Sequence, residues 1–182
     1  MTFYEFLTPI EIENVEKTMR DLLKSDKVDY IFNNKLLIKI YKRRTDVYLI
    51  QKKDQELLRQ IRRDLITKEN ILMHARIKLG FLVHEKFLIG IESLSFLSPI
   101  VNKKVYLNKQ QTEKFIYGKD IDITDDSLYD QIKIVEDNSM VMVFSSDKIP
   151  LGYAKIQSKE KNAWLQNLVD IGIYLRSEKS AF

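Results

Sequence analysis

The chain has 182 residues, 45% of them hydrophobic, enough to bury a real core as one large domain or, better, two small ones. It has no cysteine, which excludes structural disulfides, cysteine metal sites and thiol catalysis. A formal net charge of +4 is too mild to name a partner, and neither a signal peptide nor a membrane span is present, so a soluble intracellular protein is expected.

Thr8, Pro9 and Glu11 mark a helix start: Thr8 caps, Pro9 suits the first helical position, and Glu11 supplies the carboxylate of a capping box. Ile12, Val15, Met19 and Leu22 recur along one face, which predicts an amphipathic helix from Thr8 to about Lys24. VDYIF and KLLIKIY flank Asn33 and Asn34 and read as a hairpin, with DVYLI as a third strand and Lys42 to Arg44 joining the second strand to the third. From Lys53 to Asp64 the helical pattern returns, with Leu58, Ile61 and Leu65 inside and Arg59, Arg62 and Arg63 outside. ILMHARIKL and KFLIGIESL predict two further strands, with Gly80 near the break. The expectation is an α+β protein whose first domain, residues 1–98, is one open antiparallel sheet with two covering helices. Pro99 interrupts the pattern and marks the boundary.

The second domain, residues 99–182, opens with a strand at Lys104 to Leu107 and a short helix over Gln110 to Ile116 that Gly118 caps. The acidic run DIDITDDSLYD follows, then strands at IKIVED and VMVFSS. Pro150 and Gly152 suit the second and fourth positions of a type I turn, which starts a new strand at Tyr153. In DIGIYLR, Ile171, Ile173 and Leu175 alternate with Gly172, Tyr174 and Arg176, which predicts a last strand with one core face and one exposing an aromatic and a cation.

Three glycine-punctuated blocks, FIYGKDI at 115–121, DKIPLGYA at 147–154 and DIGIYLR at 170–176, resemble the PUA domain of RNA-modifying and ribosome-assembly proteins. LTPIEIENV near the start, the strand at Lys86 to Leu88, the L-S-P step at Leu97 to Pro99 and K-V-Y at Lys104 to Tyr106 narrow the resemblance to the Nip-seven family of ribosome biogenesis factors, in an archaeal-type form. The resemblance implies an N-terminal antiparallel α/β domain followed by a PUA-type β pseudobarrel. It also implies a non-enzymatic role in maturing the large, 60S-type subunit, with pre-rRNA as ligand and exosome subunits or assembly factors as partners. A cytoplasmic monomer is expected, nucleolar in a eukaryote, with U-rich or A-rich RNA preferred. The stretch between PLGYA and DIGIYLR is shorter than in eukaryotic members, and an acidic run follows GKDI where PUA domains often carry a glycine-containing turn.

Within that domain Lys155, Lys159, Lys161 and Arg176, with Tyr174 beside the last, are the first candidates for RNA contacts, because cations hold the phosphate backbone and an aromatic offers any base a stacking face. On its own such a stretch is more often a solvated face; the resemblance reverses those odds. Lys119 joins them, since Gly118 lets the backbone approach a ligand closely, although Gly118 serves equally as a helix cap.

Charge is unevenly spread. Residues 1–90 hold 18 Lys or Arg against 13 Asp or Glu, while residues 91–182 hold 12 against 13. Arg43, Arg44, Arg59, Arg62 and Arg63 lie in a band, residues 39–63, with nine basic residues against three acidic ones. That band suits sequence-independent attraction to RNA, a charged outer helix face, or docking of an acidic protein. The acidic run at Asp120 to Asp130 repels phosphate and is expected away from RNA or against a basic protein.

No catalytic, metal or cofactor site is expected. His74 and His84 are the only histidines, Asp125 and Asp126 point apart on any regular chain, and no phosphate-cradling or dinucleotide glycine motif occurs. Two other functions compete with RNA binding: a protein-interaction adaptor with incidental RNA contact, and an RNA-modifying enzyme, for which the first domain is short and lacks a catalytic segment.

Overall fold

The computed structural model describes residues 4–33, 35–41, 44–56, 76–84, 86–123, 126–132, 135–159, 162–173 and 176. They cluster as two compact units, Met1–Arg20 with Ser25–Ser93, and Asp21–Lys24 with Leu94–Phe182. No helix among the described residues is long and apolar enough to cross a membrane.

In the first unit, strands β1 (Tyr4–Phe6), β2 (Lys35–Tyr41), β3 (Thr45–Gln51), β4 (Arg76–Val83) and β5 (Lys86–Ile89) form one antiparallel sheet in the order β1-β2-β3-β4-β5. Helix α1 (Pro9–Leu22) begins as predicted. The Thr8 amide donates to Glu11 Oε2 at 2.7 Å and the Glu11 amide to Thr8 Oγ1 at 3.3 Å, a reciprocal capping box. Glu11 also accepts from Lys39 Nζ at 2.8 Å, which ties the helix start to β2.

Three expectations for this unit need correction. VDYIF is not a strand but part of helix α2 (Ser25–Phe32). Val28 and Ile31 are buried while Asp29 and Tyr30 are exposed, and that three-residue spacing is helical, not alternating. Asn33 therefore closes a helix rather than a hairpin. Gly80 does not break the β4–β5 hairpin; the turn falls at His84, which has φ 46°. Gly80 stands inside β4 at a register shift opposite Val47 and Tyr48, where a Cβ would meet the Leu88 carbonyl. Beyond Ile89, the IESL end of its predicted strand is a 3-10 turn leading into helix α3 (Leu94–Leu97). The expected helix at 53–64 begins as a 3-10 turn, Lys52–Asp54; Leu58, Ile61 and Leu65 lie outside the described residues, as do His74 and Lys42.

In the second unit, β6 (Lys104–Leu107), β7 (Ile121–Asp122), β8 (Met140–Ser145), β9 (Pro150–Lys159) and β10 (Asn162–Asp170) form a sheet in the order β6-β8-β9-β10-β7. β6 runs parallel to β8 and every other pair is antiparallel. Helices α4 (Lys109–Ile116) and α5 (Asp126–Ile132) bring Phe115, Leu128 and Ile132 onto the core face of the sheet, against Val105, Val141 and Leu165. The resulting architecture is α+β, as expected.

Here too the strands shift from their predicted places. IKIVED is not a strand: Ile132 ends α5, and the chain from Val135 to Ser139 is a loop in which Asn138 takes φ 63°. IPLG is not a turn either. The reversal lies earlier, at Ser146 and Asp147, with Lys148 at φ 62°. Pro150 already pairs with Phe144 and Gly152 with Val143 inside the sheet. The last strand is β10 rather than DIGIYLR. Its end at Asp170 is followed by a turn through Ile171 and Gly172, which leaves Ile171 and Ile173 exposed instead of in the core.

Candidate nucleic-acid interface

The first element of the candidate site is the C-terminal end of α4. Asn108 caps its start, accepting from the Gln111 amide at 2.9 Å while Gln111 Oε1 accepts from the Asn108 amide at 3.0 Å. Its end is a Schellman motif: the Gly118 amide reaches the Phe115 carbonyl at 2.9 Å and the Lys119 amide the Lys114 carbonyl at 3.2 Å. Gly118 has φ 78°, a conformation open to glycine at no steric cost.

The last carbonyls of α4 are gathered by residues from the far end of the chain. Asn167 Nδ2 donates to the Phe115 carbonyl at 2.7 Å, and Arg176 Nη1 to the Ile116 carbonyl at 2.6 Å. Arg176 also grips the buried Asp170 carboxylate, whose Oδ1 accepts from the Gly172 amide at 2.8 Å. The Ile171 amide reaches the Leu151 carbonyl at 2.8 Å, and Gly152 pairs with Asp170. The three glycine-punctuated blocks therefore meet at one junction. Their glycines are there because backbone approaches backbone: a Cβ on Gly172 would strike the Ile116 carbonyl, and one on Gly152 the Val169 carbonyl.

This junction carries an exposed rim. Tyr117 is 66% exposed and Ile173 44%, and Lys119, two residues after Tyr117, is exposed as well. An aromatic, an apolar side chain and a cation on a rigid backbone suit a base stacked above a held phosphate.

The predicted contact residues divide accordingly. Lys119 stands on the exposed turn. Lys155 is half-buried in the middle of β9, paired with Gln166. Gln166 precedes Asn167, whose amide donates to Asp120 Oδ1, so β10 meets Lys155 across the sheet and, one residue on, the neighbour of Lys119. Lys159 ends β9 in register with Asn162. Lys161 and Tyr174 lie outside the described residues. Arg176 is not on an outward strand face: its guanidinium belongs to the junction, where hydrogen bonds to Asp170 raise its pKa above the ordinary value.

In the N-terminal band, Arg43, Arg59, Arg62 and Arg63 lie outside the described residues. Arg44 is consumed locally. Its Nε donates to Asp46 Oδ1 at 3.0 Å, its Nη2 lies 3.8 Å from Glu92 Oε1, and its guanidinium covers the Phe81 ring at 4.3 Å. Lys78 completes the group, 3.2 Å from Asp46 and 2.7 Å from Glu92. Burial alone would lower the Lys78 pKa and raise that of Glu92, but their mutual hydrogen bond and neighbouring charges reverse both shifts. Two cations thus balance two carboxylates.

The acidic run is not a single repelling face. Asp120 is a structural acceptor for Asn167, Asp122 lies in β7 opposite Trp164, Asp126 and Asp130 belong to α5, and Asp125 lies outside the described residues. Sequence reasoning missed Trp164, Gln157 and Gln166, which share the sheet face opposite the core. The available signal was the alternation of Ala163 and Leu165 with Trp164 and Gln166 after a polar stretch of sequence.

A family model described as the UPF0113 PUA domain matches residues 103–179. No curated protein matches the chain. Among solved structures, a hypothetical protein from the hyperthermophilic archaeon Pyrococcus horikoshii OT3 is similar in fold, with a TM-score of 0.55 and 8% sequence identity. The alignment covers 87% of this chain and 84% of that one. The sheet β6-β8-β9-β10-β7, with the junction that joins it to α4, lies within the segment that matches the UPF0113 PUA domain.

Proposed function

We propose that the protein binds single-stranded RNA through residues 103–179 and acts, without catalysis of its own, in maturing large-subunit ribosomal RNA. The PUA match over that segment carries this proposal. The exposed Tyr117–Lys119 turn, held by Asp170 and Arg176, supplies a place for the ligand. Lys119 and Lys155 are its phosphate contacts, with Lys159, Lys161 and Tyr174 extending them, and exosome subunits or assembly factors are its protein partners. The deciding experiment is fluorescence anisotropy with labelled oligo-U and oligo-A across a salt series, joined to pre-rRNA analysis after depletion of the protein. Salt-dependent binding and accumulated large-subunit precursors are expected; flat titrations and unchanged precursors would sink the proposal.

A second function, a protein adaptor, draws on the self-neutralised Arg44–Asp46–Lys78–Glu92 group, which removes positive charge from the first unit's surface. Partners that stay bound after nuclease treatment would favour it.

A further inference from the structure

The outward face of the β9–β10 hairpin carries a group that none of the predicted contacts includes. Trp164, the chain's single tryptophan, is half-buried there, between Gln157 on β9 and Asp122 on β7. Its neighbour Leu165 points the other way, into the core, so the indole is not part of that core. Beside it, Gln157 and Gln166 form an ordered amide pair. Gln157 Nε2 donates to Asn138 Oδ1 at 3.1 Å and to Gln166 Oε1 at 3.3 Å. Both amide hydrogens are thereby used, so the plane of the group is fixed. The Gln157 Oε1 acceptor and the Gln166 Nε2 donor make no hydrogen bond among the described residues.

We propose that Trp164, Gln157 and Gln166 form a nucleobase subsite, in which an unpaired base stacks on the indole and presents its edge to the free amide acceptor and donor. This rests on the proposed binding of single-stranded RNA and adds to it where one base is read. Every nucleobase has a stacking face, and each carries hydrogen-bond groups along an exposed edge when unpaired. The two amides come preoriented, so little side-chain freedom is lost when they bind. Charge sets the direction of the strand. Lys155 pairs with Gln166 on one side, while Asp122 flanks Trp164 on the other. The phosphates therefore run along the Lys155 side and away from β7.

The test uses the full chain and short oligo-A, oligo-U and oligo-C. Because Trp164 is the only tryptophan, its fluorescence reports this subsite alone. Quenching should follow the same isotherm as the anisotropy of a labelled oligonucleotide. W164A should weaken binding about tenfold without changing the salt slope, since stacking is not electrostatic, and W164F should restore most of it. Q157L and Q166L should narrow the difference in affinity among the three oligomers, and they give a readout should W164A fold poorly. Normal RNA binding with unmoved tryptophan fluorescence and unchanged base preference in the glutamine variants would overturn the subsite and leave RNA binding intact. Absence of RNA binding by anisotropy would overturn both.

Discussion

Arg176 and Asp170 form a two-pronged ion pair, with Nη1 donating to Oδ1 at 3.0 Å and Nη2 to Oδ2 at 2.9 Å. The Asp170 side chain is 2% exposed, so removing the guanidinium would strand a carboxylate away from water. R176A should cost about 2–3 kcal/mol, below the fully buried range because Arg176 itself is 39% exposed. R176K keeps the charge but cannot reproduce the fork, and should recover only part of the loss. Urea denaturation of the three proteins checks this. An R176A variant with parental stability would return Arg176 to the list of free surface cations.

Two glycines of the same junction should respond differently to alanine. Gly118 has φ 78°, and a Cβ there would lie 3.2 Å from the Arg176 guanidinium carbon, a side-chain contact that a shift of a few tenths of an ångström relieves. G118A should therefore cost about 1–2 kcal/mol, mainly left-handed backbone strain. Gly172 faces the Ile116 carbonyl, which is backbone and cannot step aside. G172A should fail to fold, or fold with α4 displaced and the Arg176–Ile116 bond lost. Circular dichroism melts of both variants separate the cases; equal effects would mean the junction yields more readily than its packing implies.

The contrast shows what was legible in the residues beforehand. Local rules placed α1 through Thr8 and Glu11, and Gly118 as a helix cap, because a capping box and a Schellman glycine act within a few residues. They failed where partners lie far apart in sequence. DIGIYLR alternates like a strand, yet Gly172 is required by a carbonyl 56 positions earlier, at Ile116, and that contact turns the chain. Arg176 likewise reads as an outward cation until Asp170 and Ile116 are seen around it. VDYIF misled for a different reason: a short apolar run fits both periods, and only the burial of Val28 with Ile31 decides.

The Glu11–Lys39 pair predicts a pH dependence in the first unit. Burial alone would push the Glu11 carboxyl up, but hydrogen bonds from Lys39 and Thr8 outweigh it and hold the pKa below its ordinary 4.5. Burial alone would lower Lys39, but hydrogen bonding with Glu11 and Tyr41 raises it above 10.5. Glu11 is depressed, so its contribution is present above pH 4.5 and is lost as pH falls through the lower folded value. Lys39 is raised, so its contribution is present below pH 10.5 and is lost only as pH rises beyond the folded value. E11Q should cost about 1–2 kcal/mol at neutral pH and flatten the acid limb of the stability curve. Denaturation midpoints at neutral and acid pH test it; parallel curves for parent and variant would show that the pair is not the source.

Salt dependence distinguishes cations that meet RNA from those already paired. Each lysine that neutralises a phosphate on a single strand adds roughly 0.7 to the slope of log affinity against log salt. K119A and K155A should each lower the slope by about that amount, and the K155A/K159A/K161A triple variant by more. R44A should leave the slope unchanged, because Arg44 is held by Asp46 and stacked on Phe81, and should instead lower stability by leaving the buried Asp46 carboxylate with Lys78 as its remaining cation. Anisotropy titrations at several salt concentrations, normalised to folded protein, read both effects. A triple variant that binds oligo-U and oligo-A as tightly as the parent would show that the grip lies elsewhere, and a reduced slope for R44A would place the first unit's arginines on the RNA path.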